Sequence, residues 1–406
     1  MKFIRDQLDK IAPLFQKGGP LERYHAIYEI QDTFLFTPGE VTRSASHVRD
    51  ATDMKRLMIT VAAALAPCML MACWNTGYQG MLAIAHGAAP LDNWQTAVWS
   101  GLGLSFDFKS TLLCIFFGLL YWLPVYATVM IAGGVCEVVF AVVRGHEISE
   151  GFVVTGALLP LTLPPTIPLW MLVLGTAFGI VIGKEIFGGV GMNFLNPALT
   201  ARAFLFFAYP GAMSGDSVWM AANLHGIDSY SGATLLAQAA ATKGALASHD
   251  WGSAFWGWIP GSMGETSAFA ALLGAGVLVI TGVGSYRTML GILLGTIAMS
   301  LLFNLSGSTT NPMFDVPWYW HVVLGGWAFG AAFMATDPVS SAFTSRGKWV
   351  YGFMIGVLVV LIRVVNPAYP EGMMLAILFM NMLAPLIDHF VVQANIRRRL
   401  VRSAAA

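Results

Sequence analysis

About ten apolar runs, most of them close to the length that crosses roughly 30 Å of hydrocarbon, leave this chain few ways to fold. With no water in a bilayer core, each backbone N–H and C=O must be satisfied within the protein, and runs of this length do so as helices. They lie near Leu57 to Trp74, Thr111 to Val143, Phe152 to Ile167, Pro168 to Gly183, Phe194 to Tyr209, Ser267 to Thr281, Thr288 to Phe303, Trp318 to Met334, Val350 to Val364 and Met373 to Val392. The second is overlong and holds Pro124, so it reads as one tilted, kinked helix or as a span plus a re-entrant piece. Several others are short or interrupted by Gly and Pro, which is tolerated where irregular backbone lines a protein cavity. With 56% hydrophobic and 11% charged residues, the chain falls outside the soluble globular range. The expected fold class is an all-α polytopic membrane protein of about ten transmembrane helices.

Charge sets the orientation. The net charge of zero gives no ground for a nucleic-acid partner. Starting inside and alternating across the spans, the cytoplasmic side receives the cations of residues 1–54, together with Lys55, Arg56, Arg144, Lys184, Arg287, Arg346, Lys348 and the cluster Arg397, Arg398, Arg399 and Arg402. The opposite side receives Lys109 and Lys243, while Arg202 and Arg363 stay inside spans. This asymmetry places the amino terminus in the cytoplasm and the polar interval 211–266 outside the membrane. The expected organisation is an amphipathic cytoplasmic segment 1–54, a first membrane half 55–210, an external loop 211–266, a second membrane half 267–394 and a basic cytoplasmic tail 395–406. Cys68, Cys73, Cys114 and Cys136 lie in or beside apolar runs without C-x-x-C spacing, the pattern of buried free thiols. A weak internal echo joins Trp170 to Gly179 with Trp320 to Gly330 and hints at duplication.

Candidate chemistry sits at a few polar positions. Ser231 can cap a short helix built from Leu235 to Ala240, with Thr234 in its first turn, Gly232 and Ala233 leaving room around the Thr234 hydroxyl. That hydroxyl is a weak nucleophile that an external catalyst could esterify, and the same four residues also read as a plain helix cap. Glu137, beside Gly133 and Gly134 in an apolar run, is costly in a membrane unless hydrated, paired or protonated. It is a functional candidate, or else it snorkels toward Arg144 from a tightly packed helix. Asp337 and Asp388 stand near helix ends, where hard oxygen ligands suit Na+ and where acids also simply cap or pair. Asn193 and Asn196 interrupt the fifth run at its start, as a polar ligand or a helix cap would require.

Longer motifs add a resemblance. Asp228, Ser231, Gly232, Ala233 and Thr234 match the D-x-x-S-G-A-T signature at which a flavin transferase esterifies FMN to threonine. The segments 46–50, 183–210, 334–340 and 363–379 carry a resemblance, over nearly the full length, to the B-subunit family of the Na+-translocating NADH:quinone oxidoreductases. That resemblance implies two inverted five-helix halves, an architecture like that of the urea and ammonium transporters, in a bacterial inner membrane. It implies covalent FMN on Thr234 in a periplasmic loop and a second, non-covalent flavin, riboflavin, near Asn193 and Asn196. It links Gly133, Gly134 and Glu137 to quinone binding or cation uptake, so that Glu137 joins Asp337 and Asp388, read above from their chemistry, as a candidate for a Na+ path. The implied partners are the A, C, D, E and F subunits, ubiquinone, Na+, membrane lipid and the flavin transferase. No dinucleotide fingerprint and no iron–sulfur spacing is present in the sequence, so NADH oxidation is expected in another subunit. The rival readings are the D subunit of the Rnf ferredoxin:NAD+ oxidoreductase, which shares S-G-A-T, and a flavin-free channel or transporter, which leaves Asp228 to Thr234 unexplained.

Overall fold

A computed structural model describes residues 2–16, 18–22, 25, 28, 54–145, 151–224, 231–366 and 371–404. Asp228 and the segment 46–50 lie outside the described residues.

Every apolar run contains helix. Helix α1 (Lys2–Phe15) is amphipathic, as expected of the amino-terminal segment. The first run becomes α2 (Met54–Ala64) and α3 (Ala66–Ala85), joined end to end across Leu65. There follow α4 (Trp94–Gly101), α5 (Thr111–Arg144), α6 (Gly151–Leu161), α7 (Leu169–Gly183) and α8 (Pro197–Ala208). After a single helical turn at Pro210–Met213, two short helices, α9 (Leu235–Ala241) and α10 (Trp251–Trp256), precede α11 (Ala268–Ile280) and α12 (Tyr286–Ser306). The eighth run breaks into α13 (Trp318–Val323) and α14 (Trp327–Phe329), the latter continued by a π-turn over Gly330–Met334. Helices α15 (Ser345–Val365) and α16 (Met373–Ala404) complete the chain. The described residues form no strand; an isolated bridge joins Ala89 to Asn223.

Length sorts these helices. Among the described residues, six stretches are long and apolar enough to cross a membrane: Leu57–Ala85, Thr111–Arg144, Leu169–Phe187, Tyr286–Ser306, Ser345–Val365 and Met373–Ser403. Helices α6, α8 and α11, with 11, 12 and 13 residues, reach only part of the way. Helix α5 settles the question of the second run: it is one continuous helix of 34 residues with Pro124 inside it. Its Leu112, Phe116, Leu123, Ile131, Val135 and Val139 are exposed along one side, a stripe suited to lipid rather than water.

Glycines decide how the long helices cross. At the α3–α5 contact, a side chain on Gly77 would fall on the Cys114 carbonyl, and one on Gly118 on that of Cys73. At the α12–α15 contact, Gly295 faces the Phe353 carbonyl and Gly356 the Ile292 carbonyl. Without a hydrophobic drive between helices in lipid, such backbone-close packing is what holds them together. The four cysteines are free, with Cys68, Cys73 and Cys114 buried and Cys136 half-buried.

Two expectations change. Trp170 to Gly179 lies on the unbroken α7, whereas the matching stretch from Trp320 is split at Leu324–Gly326, so the echo does not mark equivalent structure. The interval 211–266 is also more than a surface loop. Gly264 N–H donates to the Leu161 carbonyl at 2.7 Å and Met263 N–H to that of Leu163 at 3.1 Å, caps for the broken end of α6. Asn75, buried in α3, donates to the Ile259 carbonyl at 3.0 Å. Helix ends inside a membrane leave carbonyls that need donors, and residues 257–267 supply some of them.

Candidate functional site

Thr234 is the N-cap of α9, not a residue of its first turn. Its Oγ accepts from Ala237 N–H at 3.2 Å, and the helix begins at Leu235. Ser231 instead closes a tight turn, its Oγ accepting from Ala233 N–H at 3.2 Å. Threonine wins the cap because its extended backbone (φ −64°, ψ 149°) aims Oγ at the free amides of the first turn. Gly232 does not open space around the hydroxyl. It is buried, and a side chain there would meet the Asp216 carbonyl, Met220 and Leu224. Thr234 itself is half-buried and lines a cavity walled by Ile259–Ser262 and by the break between α13 and α14.

That break is a second point of interest. Gly325 and Gly326 both take positive φ (60° and 65°), and a side chain on Gly326 would overlap the Glu265 carboxylate. Arg363, fully buried in α15, fills the gap: it donates to the carbonyls of His321 at 2.7 Å, Leu324 at 2.7 Å and Glu371 at 2.9 Å. Arg202 of α8 pairs with Glu371 at 2.6 Å and Glu265 at 3.5 Å. Both acids line the Thr234 cavity. The two arginines stranded inside spans thus find their partners in connecting segments. The signal that could have found Glu265 and Glu371 was the cost of an unpaired buried guanidinium, which demands such acids nearby.

A second cavity gathers residues far apart in sequence. Asn193, Asn196, Lys184, Thr155, Thr336 and Asp337 supply its polar lining, and Leu57, Val61, Val154, Leu158 and Phe333 are among its apolar walls. Asn196 caps α8, accepting from Ala198 N–H at 3.0 Å and Leu199 N–H at 3.2 Å, while Asn193 donates to the Leu195 carbonyl at 2.9 Å. Asp337 accepts from Ser340 Oγ at 2.6 Å and Val339 N–H at 3.3 Å. The Asn193–Asn196 and Asp337 regions, expected to serve different purposes, share this one wall.

Glu137 is buried, and its ion-pair partner is Lys184. Arg144, the partner expected from sequence proximity, reaches Glu185, at 2.5 Å from its carbonyl and 3.6 Å from its carboxylate. Proximity along α5 misled because α7 ends alongside and delivers Lys184 from another helix. Gly133 faces the Phe152 ring closely enough that a Cβ there would force the ring to shift, and a Cβ built on Gly134 would lie 3.9 Å from the same ring. Asp388 lies apart from this cavity: on α16, it accepts from Phe343 N–H at 2.6 Å, Thr344 N–H at 3.0 Å and Thr344 Oγ at 2.5 Å. Among the described residues no group of three or more His, Cys, Asp or Glu is arranged to hold a metal ion.

Broken helices, half-length helices and buried ion pairs behind a lipid-facing apolar surface define a polytopic membrane protein with internal polar sites. Residues 41–397 match the model of the NQR2, RnfD, RnfE family, and the chain belongs to that family. It is 56% identical over 406 residues to the B subunit of the Na(+)-translocating NADH-quinone reductase of Stutzerimonas stutzeri (strain A1501), covering 98% of this chain and 99% of the relative. The B subunits of the same reductase from Chromohalobacter salexigens and Azotobacter vinelandii are 54% and 55% identical, covering 99% and 98% of this chain and 97% and 99% of theirs.

Proposed function

We propose that this chain works as an electron-carrying subunit of a Na+-translocating NADH:quinone oxidoreductase, with FMN esterified to Thr234. The observation that carries the reading is the motif ending at Thr234, whose side chain is half-exposed over a cavity. Full-length relatives of that name favour this enzyme over the ferredoxin-linked members of the same family. The residues also suit the group. Thr234 offers a reachable oxygen, and Arg202 offsets the charge of Glu265 and Glu371 around it.

Riboflavin suits the second cavity. Its lining pairs amides and hydroxyls, which can meet the polar edge of a ring, with aliphatic and aromatic walls for the faces. Flavins, when bound, supply the electron-transfer chemistry; the chain fixes their positions and electrostatics. Gly133, Gly134 and Glu137 form the quinone site in this reading, supported by the way Gly133 already accepts the flat Phe152 ring. Glu137, Asp337 and Asp388 are the acids of the Na+ path. The chain sits in a bacterial inner membrane with its amino terminus in the cytoplasm and Thr234 in the periplasm. It assembles with the A, C, D, E and F subunits, one of which oxidises NADH, and depends on a flavin transferase for maturation.

Proteoliposomes carrying the whole complex test the reading. Thr234→Ala abolishes NADH-driven ubiquinone reduction and Na+ uptake while NADH oxidation by an artificial acceptor persists. Undiminished quinone reduction in that variant contradicts the assignment.

A further inference from the structure

Lys184 belongs to two sites at once. It follows the last turn of α7, its N–H donating to the Ile180 carbonyl at 3.1 Å, and its side chain runs buried between the second cavity and Glu137. The ammonium pairs with Glu137 and stands 3.9 Å from Glu185. Both Glu185 oxygens are buried and accept no hydrogen bond from a described residue. Their charge is met by Lys184 and by the half-exposed Arg144. Two cations and two anions therefore run from the protein surface to the cavity wall.

We propose that Lys184 is a shared counter-ion, whose one ammonium serves both the Glu137–Glu185 pair and an electron-accepting heteroaromatic ring held in the cavity with Asn193 and Asn196. An ammonium has three donors and a flexible stem, so it can divide its charge between an acid on one side and a ring acceptor on the other. Negative charge gained by the ring draws the ammonium toward it and loosens its hold on Glu137. Loss of the Glu137 charge does the reverse, freeing the ammonium for the ring. The coupling is reciprocal: whatever biases one side must bias the other by the same free energy. Lys184 is thus a positioning residue that makes the electrostatics of the cavity and of Glu137 one system. The proposal rests on the placement of the non-covalent flavin given above.

The test is the one-electron midpoint potential of the non-covalent flavin, read by spectroelectrochemistry in the purified whole complex, with the electron supplied by the electrode. Lys184→Gln removes the cation and shifts the equilibrium about tenfold toward the oxidised ring, a downward change of about 59 mV. Glu137→Gln leaves the cation to the ring and shifts it upward, and Lys184→Arg stays close to wild type. If Lys184→Gln does not assemble, the charge-balanced pair Lys184→Met with Glu137→Gln replaces it, and its potential also falls because the nearer charge is the lysine's. Asn193→Leu, assayed for flavin content, separates the two claims. Loss of the flavin in Asn193→Leu with an unmoved potential in the lysine variants overturns the shared counter-ion alone. Full flavin content in Asn193→Leu with unmoved potentials throughout overturns the cavity placement as well.

Discussion

Arg202 Nη2 stands 2.6 Å from Glu371 Oε2, so a cation carried inside a membrane helix is held by a carboxylate from the connection ahead of the last helix. Glu265 approaches the same guanidinium at 3.5 Å from residues 257–267, so three segments meet on one charge. Arg202→Ala strands the buried Glu265 beside the half-buried Glu371 and lowers stability by about 3 kcal/mol. Thermal unfolding of the detergent-solubilised complex reads this out, and Arg202→Met with Glu371→Gln loses less than Arg202→Ala does.

Gly356 and Gly276 give a matched pair of opposite sign. A methyl on Gly356 meets the Ile292 carbonyl, whereas one on Gly276 finds open space. Gly356→Ala costs about 1–3 kcal/mol through forced separation of α12 and α15. Gly276→Ala is neutral or gains up to about 1 kcal/mol from helix propensity. The same melting measurement compares them.

Asp388 ties α16 to the start of α15 through three donors on residues 343 and 344. Asp388→Asn keeps one acceptor oxygen and is milder than Asp388→Ala, which costs about 1–2 kcal/mol by analogy with a lost helix cap. Proteolysis rates at residues 343–344 rank the two variants.

Asp250 caps α10, and accepting from Ser253 N–H holds its carboxyl below the usual value of 3.8. A carboxyl whose pKa falls on folding adds stability that is present above its unfolded value and fades as pH drops through the folded one. The start of α10 therefore loosens in acid, below about pH 3.8, and not in base. The protection of the Ser253 amide against hydrogen exchange, relative to its intrinsic rate at each pH, falls there, and Asp250→Asn removes that loss while keeping the cap.

The membrane helices were legible because runs such as Thr111 to Val143 carry their own length and hydropathy. Helix α4 was not, being a single short amphipathic stretch beside an Asn cap. The return of residues 257–267 into the bundle was hidden because Gly, Pro and Ser in that stretch read as a loop, and only the open carbonyls of α6 show why it goes inside. Local chemistry also left the capping residue ambiguous, since Ser231 and Thr234 have the same hydroxyl and only the backbone path selects Thr234. Ion pairs were the least legible. Glu137 with Lys184, and Arg202 with Glu371, join residues that only the packing of different helices and their connections brings together.

Thr234 carries the central claim, and the mass of its peptide tests it most directly. From cells that also make the flavin transferase, the denatured chain shows in-gel flavin fluorescence, and the peptide containing Thr234 carries an FMN-sized increment that Thr234→Ala lacks. An unmodified Thr234 peptide from such cells contradicts the account.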